Sequence, residues 1–276
     1  DSYSHSIVLA CKNSGEIPTS FKYVTVDNKN VKEYDVTSIA NGAFKGVELD
    51  KITIIIPGNI KSIDDYAFEQ CSLLAVYILS GVESIGRSAF EGATNLAFVS
   101  VADSVKSIGY AAFRGTGFYA QKQATEKGIS YIGKVAYAYH GDKNSVTELE
   151  IADGTVGIAE HAFERMSNLK KITLPSSLKH IDKEAFVGCK NLTNLYFNGT
   201  DDSWKAVTKV KNWDLNLPTH KTWTLCHCEE KSHDHDGDGI VKKSDEAADV
   251  CQNYKLFGAE VCDECFDKEV DKIINN

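Results

Sequence analysis

An Ala-Phe dipeptide recurs through most of this 276-residue chain, and its spacing constrains the fold more than any other feature. The phenylalanines stand at positions 44, 68, 90, 113, 163 and 186, so successive copies are 24, 22, 23, 50 and 23 residues apart. Self-similarity at such a period is typical of repeat architectures, in which each unit buries its apolar face only against its neighbours. The spacing therefore predicts stacked units of about 23 residues, with one irregular stretch of about two periods.

Other positions keep a fixed distance from each phenylalanine. An isoleucine stands five residues before it in all six copies, at Ile39, Ile63, Ile85, Ile108, Ile158 and Ile181. A leucine stands six residues after it in four copies, at Leu74, Leu96, Leu169 and Leu192. A short stretch of alternating apolar residues follows, as in Leu192-x-x-Leu195-x-Phe197. Alternation places these side chains on one face of a strand, so the copies predict a parallel sheet along one side of the stack.

These residues resemble the leucine-rich repeats of BspA-like bacterial surface proteins, whose units read approximately I-x-x-I-x-x-x-A-F-x-x-C-x-x-L-x-x-I-x-I-P. The segments "KITIIIPGNIKSI" and "KITLPSSLKHI" also keep the proline, and the resemblance covers about residues 34–200. It implies an α/β-type leucine-rich-repeat solenoid with a parallel sheet on one face and short turns or helices on the other. It also implies a non-catalytic protein, secreted or on a bacterial cell surface, that binds proteins or glycans of host or neighbouring cells.

Departures from the repeat divide the chain into segments. We predict an N-terminal cap at 1–34, the solenoid at 35–200, a C-terminal cap at 201–225 and an acidic, cysteine-rich module at 226–276. Within the solenoid, an irregular insert at about 117–150 contains "ISYIGKVAYAYHG", which predicts a hairpin.

Charge is concentrated in the C-terminal module. Residues 226–276 hold 14 acidic against 6 basic side chains, although the whole chain has a net charge of −9. The rest is close to neutral and has no basic patch, which argues against nucleic acid as a partner. No apolar run approaches the 18 residues that a membrane span needs.

The segment "DHDGDGIVKKSD" in this module predicts a calcium loop. Such a twelve-residue loop supplies oxygen ligands at alternate positions, with a glycine at position 6 for the turn. The ligands would be side chains and one backbone carbonyl, from Asp234, Asp236, Asp238, Ile240 (the carbonyl) and Asp245. The loop resembles those of dockerin and EF-hand modules, although dockerins carry two loops and only one is found here.

The eight cysteines of the chain fall into two groups. The five in the module are Cys226, Cys228, Cys251, Cys262 and Cys265. They could bind zinc, which would be a second cofactor, form disulfides or remain thiols, and the sequence leaves these alternatives open. In the repeats, Cys71 and Cys189 share a position with Ala93 and Met166, which predicts buried thiols.

No enzyme is predicted, because no nucleophile, base and acid recur together and no phosphate-binding glycine loop is present. His161 and His180 occupy positions that tolerate many residue types, so we expect both to face solvent.

The outward positions of the strands are candidates for a partner surface. We predict that they include Ile55, Val76, Ile78 and Phe98 in the early repeats, and Tyr196 beside Lys171, Thr173 and Asn194 in the late ones. An apolar ladder of this kind could bind a partner, but β-branched and aromatic residues are also simply common in strands. A scaffold protein that binds its partner through the dockerin-like tail is the alternative function.

Overall fold

The computed structural model describes residues 17, 20–24, 31–49, 53–218 and 221–224. Its architecture is a parallel β-solenoid of about seven turns, which confirms the predicted repeat fold. The described strands before the irregular insert are β1 (Ser20–Val24), β2 (Val31–Asp35), β3 (Ser38–Ile39), β4 (Thr53–Ile56), β5 (Ser62–Ile63), β6 (Ala75–Ile78), β7 (Ser84–Ile85), β8 (Phe98–Val101) and β9 (Ser107–Ile108).

The insert and the later turns supply the remaining elements. The helices are α1 (Gly117–Thr125) and α2 (Asp201–Ala206). The strands are β10 (Gly128–Ile132), β11 (Val135–His140), β12 (Glu148–Glu150), β13 (Gly157–Ile158), β14 (Lys171–Pro175), β15 (His180–Ile181), β16 (Asn194–Asn198), β17 (Thr208–Lys209) and β18 (Lys221–Thr224).

Each regular turn contributes one strand to each of two sheets. The seven two-residue strands define turns 1 to 7, which are β3, β5, β7, β9, β13, β15 and β17 in order. Turns 1 to 4 form the first array (residues 36–116), whose longer strands form the parallel sheet β4-β6-β8. Turns 5 to 7 form the second array (residues 147–218), whose longer strands lie in the parallel sheet β12-β14-β16-β18. The side opposite the longer strands is therefore built mainly of very short parallel strands and turns rather than helices.

The repeated phenylalanines form a buried stack through each array. The rings of Phe44, Phe68, Phe90 and Phe113 are nearly parallel, with centroids 4.7, 5.1 and 5.2 Å apart. In the second array Phe163 stacks on Phe186 at 5.5 Å. The Phe90 N–H donates to the Ala112 carbonyl of the next turn at 2.7 Å, and the other phenylalanines of turns 1, 2 and 5 make the same bond. The Ala-Phe pair thus joins a core contact to a backbone hydrogen bond between turns.

Two residues per turn adopt the left-handed backbone conformation, four positions apart. Their φ angles lie between 52° and 79°, at positions 42 and 46, 66 and 70, 88 and 92, 111 and 115, 161 and 165, 184 and 188, and 212 and 216. Several of them are not glycine, and a non-glycine residue there costs about 1 kcal/mol. The last pair marks turn 7, in which Trp213 packs edge-on against Phe186 at 6.1 Å in place of a phenylalanine.

The insert interrupts the stack between turns 4 and 5. It contains α1 and the antiparallel hairpin β10-β11, and β11 pairs in parallel with β13 of turn 5. Tyr137 of β11 takes over from the missing turn, because its hydroxyl accepts the Phe113 N–H at 3.2 Å. Turn 5 also contacts turn 4 directly, through a bond from the Glu160 N–H to the Ile108 carbonyl at 3.1 Å.

Candidate interaction surface

The outward face of the sheet β4-β6-β8 carries most of the exposed large apolar side chains in the described residues. Phe98, Tyr77, Leu79 and Leu74 are 65%, 46%, 44% and 39% exposed. Strand pairing places Tyr77 beside Ile55 and Ser100, and Phe98 beside Ala75. We call the set Ile55, Leu74, Tyr77, Leu79 and Phe98 the apolar strand patch. Exposed apolar side chains clustered on one face are typical of interaction sites.

The prediction that Val76 and Ile78 point outward is wrong. These side chains are 1% and 2% exposed, and the register of the sheet pairs them with the buried Ile54 and Ile56. The segment between Phe68 and β6 is one residue shorter than in most turns, so Leu73, not Leu74, is the buried leucine. Because side chains alternate along a strand, a shift of one residue exchanges the two faces.

The other predicted surface residues do lie on the outward faces. Ile55 is half-buried between its neighbours and Phe98 is the most exposed residue of the patch. Tyr196 lies in the second array, where it is half-buried and the Lys171 ammonium stands 5.2 Å from its ring centroid. Lys171 also pairs with Glu148 at 3.5 Å, so this part of the second array presents charged groups where the first presents apolar ones.

On the opposite side, carboxylates of the second array cap the edge of the first. Asp182 accepts from the Ser107 hydroxyl at 3.0 Å and from the Ile108 N–H at 3.2 Å. Glu160 accepts from the Tyr110 N–H at 2.8 Å and pairs with Arg87 at 3.1 Å. These carboxylates border a polar cleft of about 480 Å³. Their hydrogen bonds satisfy backbone donors that a continuous sheet would have paired, which gives them a structural role.

Ser107, Asp182 and His180 lie together but do not form a nucleophile with its base. The serine hydroxyl donates to the carboxylate, and the His180 Nε2 contacts the same carboxylate oxygen at 3.0 Å. A nucleophilic serine would need its hydroxyl within reach of the imidazole. This arrangement fixes the junction between the arrays and has no catalytic geometry.

The expectation that the two histidines face solvent is not met. The side chains of His161 and His180 are only 17% and 16% exposed. His161 stands between Glu164 and Glu184, 3.3 and 3.1 Å from their carboxylates. Both histidines therefore hold neighbouring residues together through side-chain contacts that are not visible in the repeat pattern.

The cysteines of the repeats are buried, as the shared repeat position predicted. The Cys71 thiol donates to the Val47 carbonyl and the Cys189 thiol to the Phe163 carbonyl, each at 3.1 Å. Burial raises the pKa of Cys189 to about 11, so this thiol is protonated at neutral pH. A protonated, buried thiol is poorly reactive.

The predicted metal sites lie outside the described residues. This holds for the calcium loop with Asp234, Asp236, Asp238, Ile240 and Asp245, and for all five cysteines of the C-terminal module. Within the part of the chain that the structure describes, no group of three or more histidine, cysteine or acidic residues is arranged to hold a metal ion. No described helix is both long enough and apolar enough to cross a membrane.

The sequence matches the family described as "BspA type leucine rich repeat region (6 copies)" over residues 18–141 and 130–211. The chain belongs to the BspA-type leucine-rich repeat family. Proteins built from such repeats are typically non-enzymatic scaffolds. No curated protein matches the chain.

Solved structures similar to this BspA-type chain are also leucine-rich repeat proteins. One from Bacteroides ovatus is 28% identical, with a TM-score of 0.36, and the match covers 67% of this chain and 40% of that protein. The T. pallidum leucine-rich repeat protein is 21% identical, with coverages of 74% and 99% and a TM-score of 0.33. A leucine-rich cell surface protein from Faecalibacterium prausnitzii is 17% identical, with coverages of 70% and 89% and a TM-score of 0.25. This chain therefore spans well under half of the Bacteroides ovatus protein.

Proposed function

We propose that this chain is a non-catalytic interaction protein, secreted or on a bacterial cell surface, that binds a protein of a host or neighbouring cell through the apolar strand patch. The observation that carries the proposal is the exposure of Phe98 and Tyr77 on a sheet whose inward side chains are buried. Aromatic side chains are enriched in the energetically important centres of protein interfaces. Membership in the BspA-type family supports the surface location.

The backbone beneath the patch favours binding with little ordering cost. Strands β4, β6 and β8 pair in parallel over four residues each, above the stacked Phe68 and Phe90 rings. A preorganised surface loses less conformational entropy on association than a mobile one. Tyr77 and Phe98 each add a large ring with few rotatable bonds, which reduces the same cost.

Aspartate substitutions in the patch test the proposal. The double substitution Tyr77→Asp with Phe98→Asp should weaken capture of the partner from surface extracts of epithelial cells or of other bacteria. Loss of two aromatic anchors at about 2 kcal/mol or more each predicts at least roughly 30-fold weaker binding. Tyr196→Asp is the matched control, because Tyr196 occupies the same strand position as Tyr77 but lies in the polar second array. Equal loss in both variants, or no loss in either, would refute the patch.

We also propose that calcium, held by Asp234, Asp236, Asp238, the Ile240 carbonyl and Asp245, stabilises the C-terminal module. The support is the spacing of these oxygen ligands in the sequence. A ligand that binds only the folded state must stabilise that state. If deletion of residues 226–276 leaves partner capture intact, the module stabilises the chain and does not bind the partner. If the deletion abolishes capture while the patch variants do not, the dockerin-like scaffold function replaces the proposed one.

A further inference from the structure

The irregular insert builds a pocket that the regular turns do not have. It lies between turn 4, α1, β11 and turn 5, and has a volume of about 350 Å³. Tyr110 of turn 4 and His161 of turn 5 stand on one side of it, and Tyr119 of α1 and His140 of β11 on another. A chain that departs from its own repeat at one place, and forms a concave pocket there, marks that place as a candidate ligand site.

Aromatic rings form much of the wall of this pocket. Tyr110 is 36% exposed, and its ring centroid lies 4.7 Å from that of His161. The Arg114 guanidinium stands 5.7 Å from the same Tyr110 ring. Deeper in the wall, Tyr119 contacts Tyr137 and His140 edge-on at 5.3 and 5.5 Å. The rings hold one another in place, so the pocket offers a fixed apolar surface to carbon-bound hydrogens of a ligand.

Between the rings, hydrogen-bond donors and acceptors alternate. The His140 Nε2 lies 3.2 Å from the Tyr119 hydroxyl, and burial lowers the pKa of His140, so its ring is neutral at pH 7. The Tyr137 hydroxyl accepts the Phe113 N–H, which leaves its own proton for another partner. Lys143 uses one N–H on the Glu164 carbonyl at 3.0 Å, and an ammonium has three. A ligand here meets both donors and acceptors.

The charges around the pocket are largely paired within the protein. Arg114 forms an ion pair with Glu91, Glu160 with Arg87, and Glu164 with Arg165. An anionic ligand would have to compete with Glu91 for the guanidinium of Arg114. A purely apolar ligand would leave the polar groups of the wall without partners, which costs about 1–3 kcal/mol for each buried group.

We propose that this pocket binds a neutral hexose unit of a glycan. A pyranose ring presents a face of C–H groups to an aromatic side chain and a rim of hydroxyls that both donate and accept hydrogen bonds. The Tyr110 ring would contact that face, and Gln123, Lys143 and His140 would bond the hydroxyls. The site does not depend on the apolar strand patch, because the patch consists of residues on the sheet β4-β6-β8 and the pocket of residues from turns 4 and 5 and the insert.

Saturation-transfer NMR on the full chain tests the pocket. The probes are the methyl glycosides of glucose, galactose, mannose and N-acetylglucosamine, each supplied alone. We expect at least one to receive saturation from the protein. Tyr110→Ala should weaken binding of that probe about tenfold, because it removes the ring under the sugar. Tyr66→Ala is the matched control, since Tyr66 is similarly exposed at 40% but does not line the pocket.

A second variant guards against misfolding of the first. Gln123 is an exposed residue of α1, and Gln123→Ala favours the helix, so this variant should fold and still bind the probe more weakly than the wild type. Absence of saturation transfer to all four glycosides would overturn the proposal. So would a signal that Tyr110→Ala and Gln123→Ala leave as strong as Tyr66→Ala does. Neither outcome bears on the strand patch, which is tested by Tyr77 and Phe98.

Discussion

Substitution of one phenylalanine in the stack should reveal how the repeats are held together. Phe90 has no exposed surface and lies between Phe68 and Phe113, with ring centroids at 5.1 and 5.2 Å. Truncation of a buried phenylalanine to alanine costs about 3–5 kcal/mol, through lost transfer free energy and the cavity left behind. Phe90 also loses two parallel ring contacts, each worth about 0.5–1.5 kcal/mol. We therefore expect Phe90→Ala to lower the free energy of unfolding by about 4–5 kcal/mol.

Denaturant titration and thermal melting both measure this loss. For a chain of this size, about 1 kcal/mol shifts the melting temperature by roughly 2–4 °C, so Phe90→Ala should melt roughly 8–20 °C lower. Phe98→Ala is the matched control, because the same atoms are removed from a side chain that is 65% exposed. We expect a change within about 0.5 kcal/mol for this surface substitution. Similar losses for Phe90→Ala and Phe98→Ala would refute the stacked core.

Three further predictions address the junction, the C-terminal module and pH. Gly157→Ala should destabilise the chain by about 1–3 kcal/mol in denaturant titration, because a Cβ there would lie 1.9 Å from the Lys106 carbonyl oxygen; an unchanged midpoint would contradict the close approach of turns 4 and 5. Calcium at 100 times its dissociation constant should raise stability by about 2.7 kcal/mol, and Asp234→Asn should reduce that gain; a melting temperature that a chelator does not change would contradict the calcium loop. Burial lowers the pKa of His140 below its usual 6.5, so folding disfavours its protonation and stability should fall as the pH drops below about 6.5. His140→Gln should flatten the melting profile between pH 6.5 and 5, and an identical slope in both proteins would contradict this assignment.

Most of the solenoid could be predicted because its information is local and repeated. The isoleucine five residues before each phenylalanine and the apolar pair in each strand recur with nearly constant spacing, and every one of those isoleucines is buried. The one error of register came from the shortened segment after Phe68. The 22-residue step from Phe68 to Phe90 signals that shortening, and alignment on Leu73 instead of Leu74 would have placed Val76 and Ile78 inward.

The irregular insert was harder because its order depends on contacts distant in sequence. Helix α1 had a local signal that went unused, namely the Thr116 hydroxyl that accepts the Tyr119 N–H as an N-cap. The cap of the sheet edge by Asp182 had none, since Asp182 and Ile108 are 74 residues apart. The pocket beside Tyr110 likewise requires turn 5 to return against turn 4, and no repeat pattern specifies that return.

The most direct test of the proposed function is side-chain footprinting of the captured complex. Hydroxyl radicals label exposed aromatic rings, and mass spectrometry reads the label at each residue. A protein bound on the apolar strand patch should reduce labelling of Tyr77 and Phe98 severalfold and leave Tyr196 unchanged. Equal labelling of Tyr77 and Phe98 in the free and captured protein would contradict the central claim that this face of the first array is the binding surface.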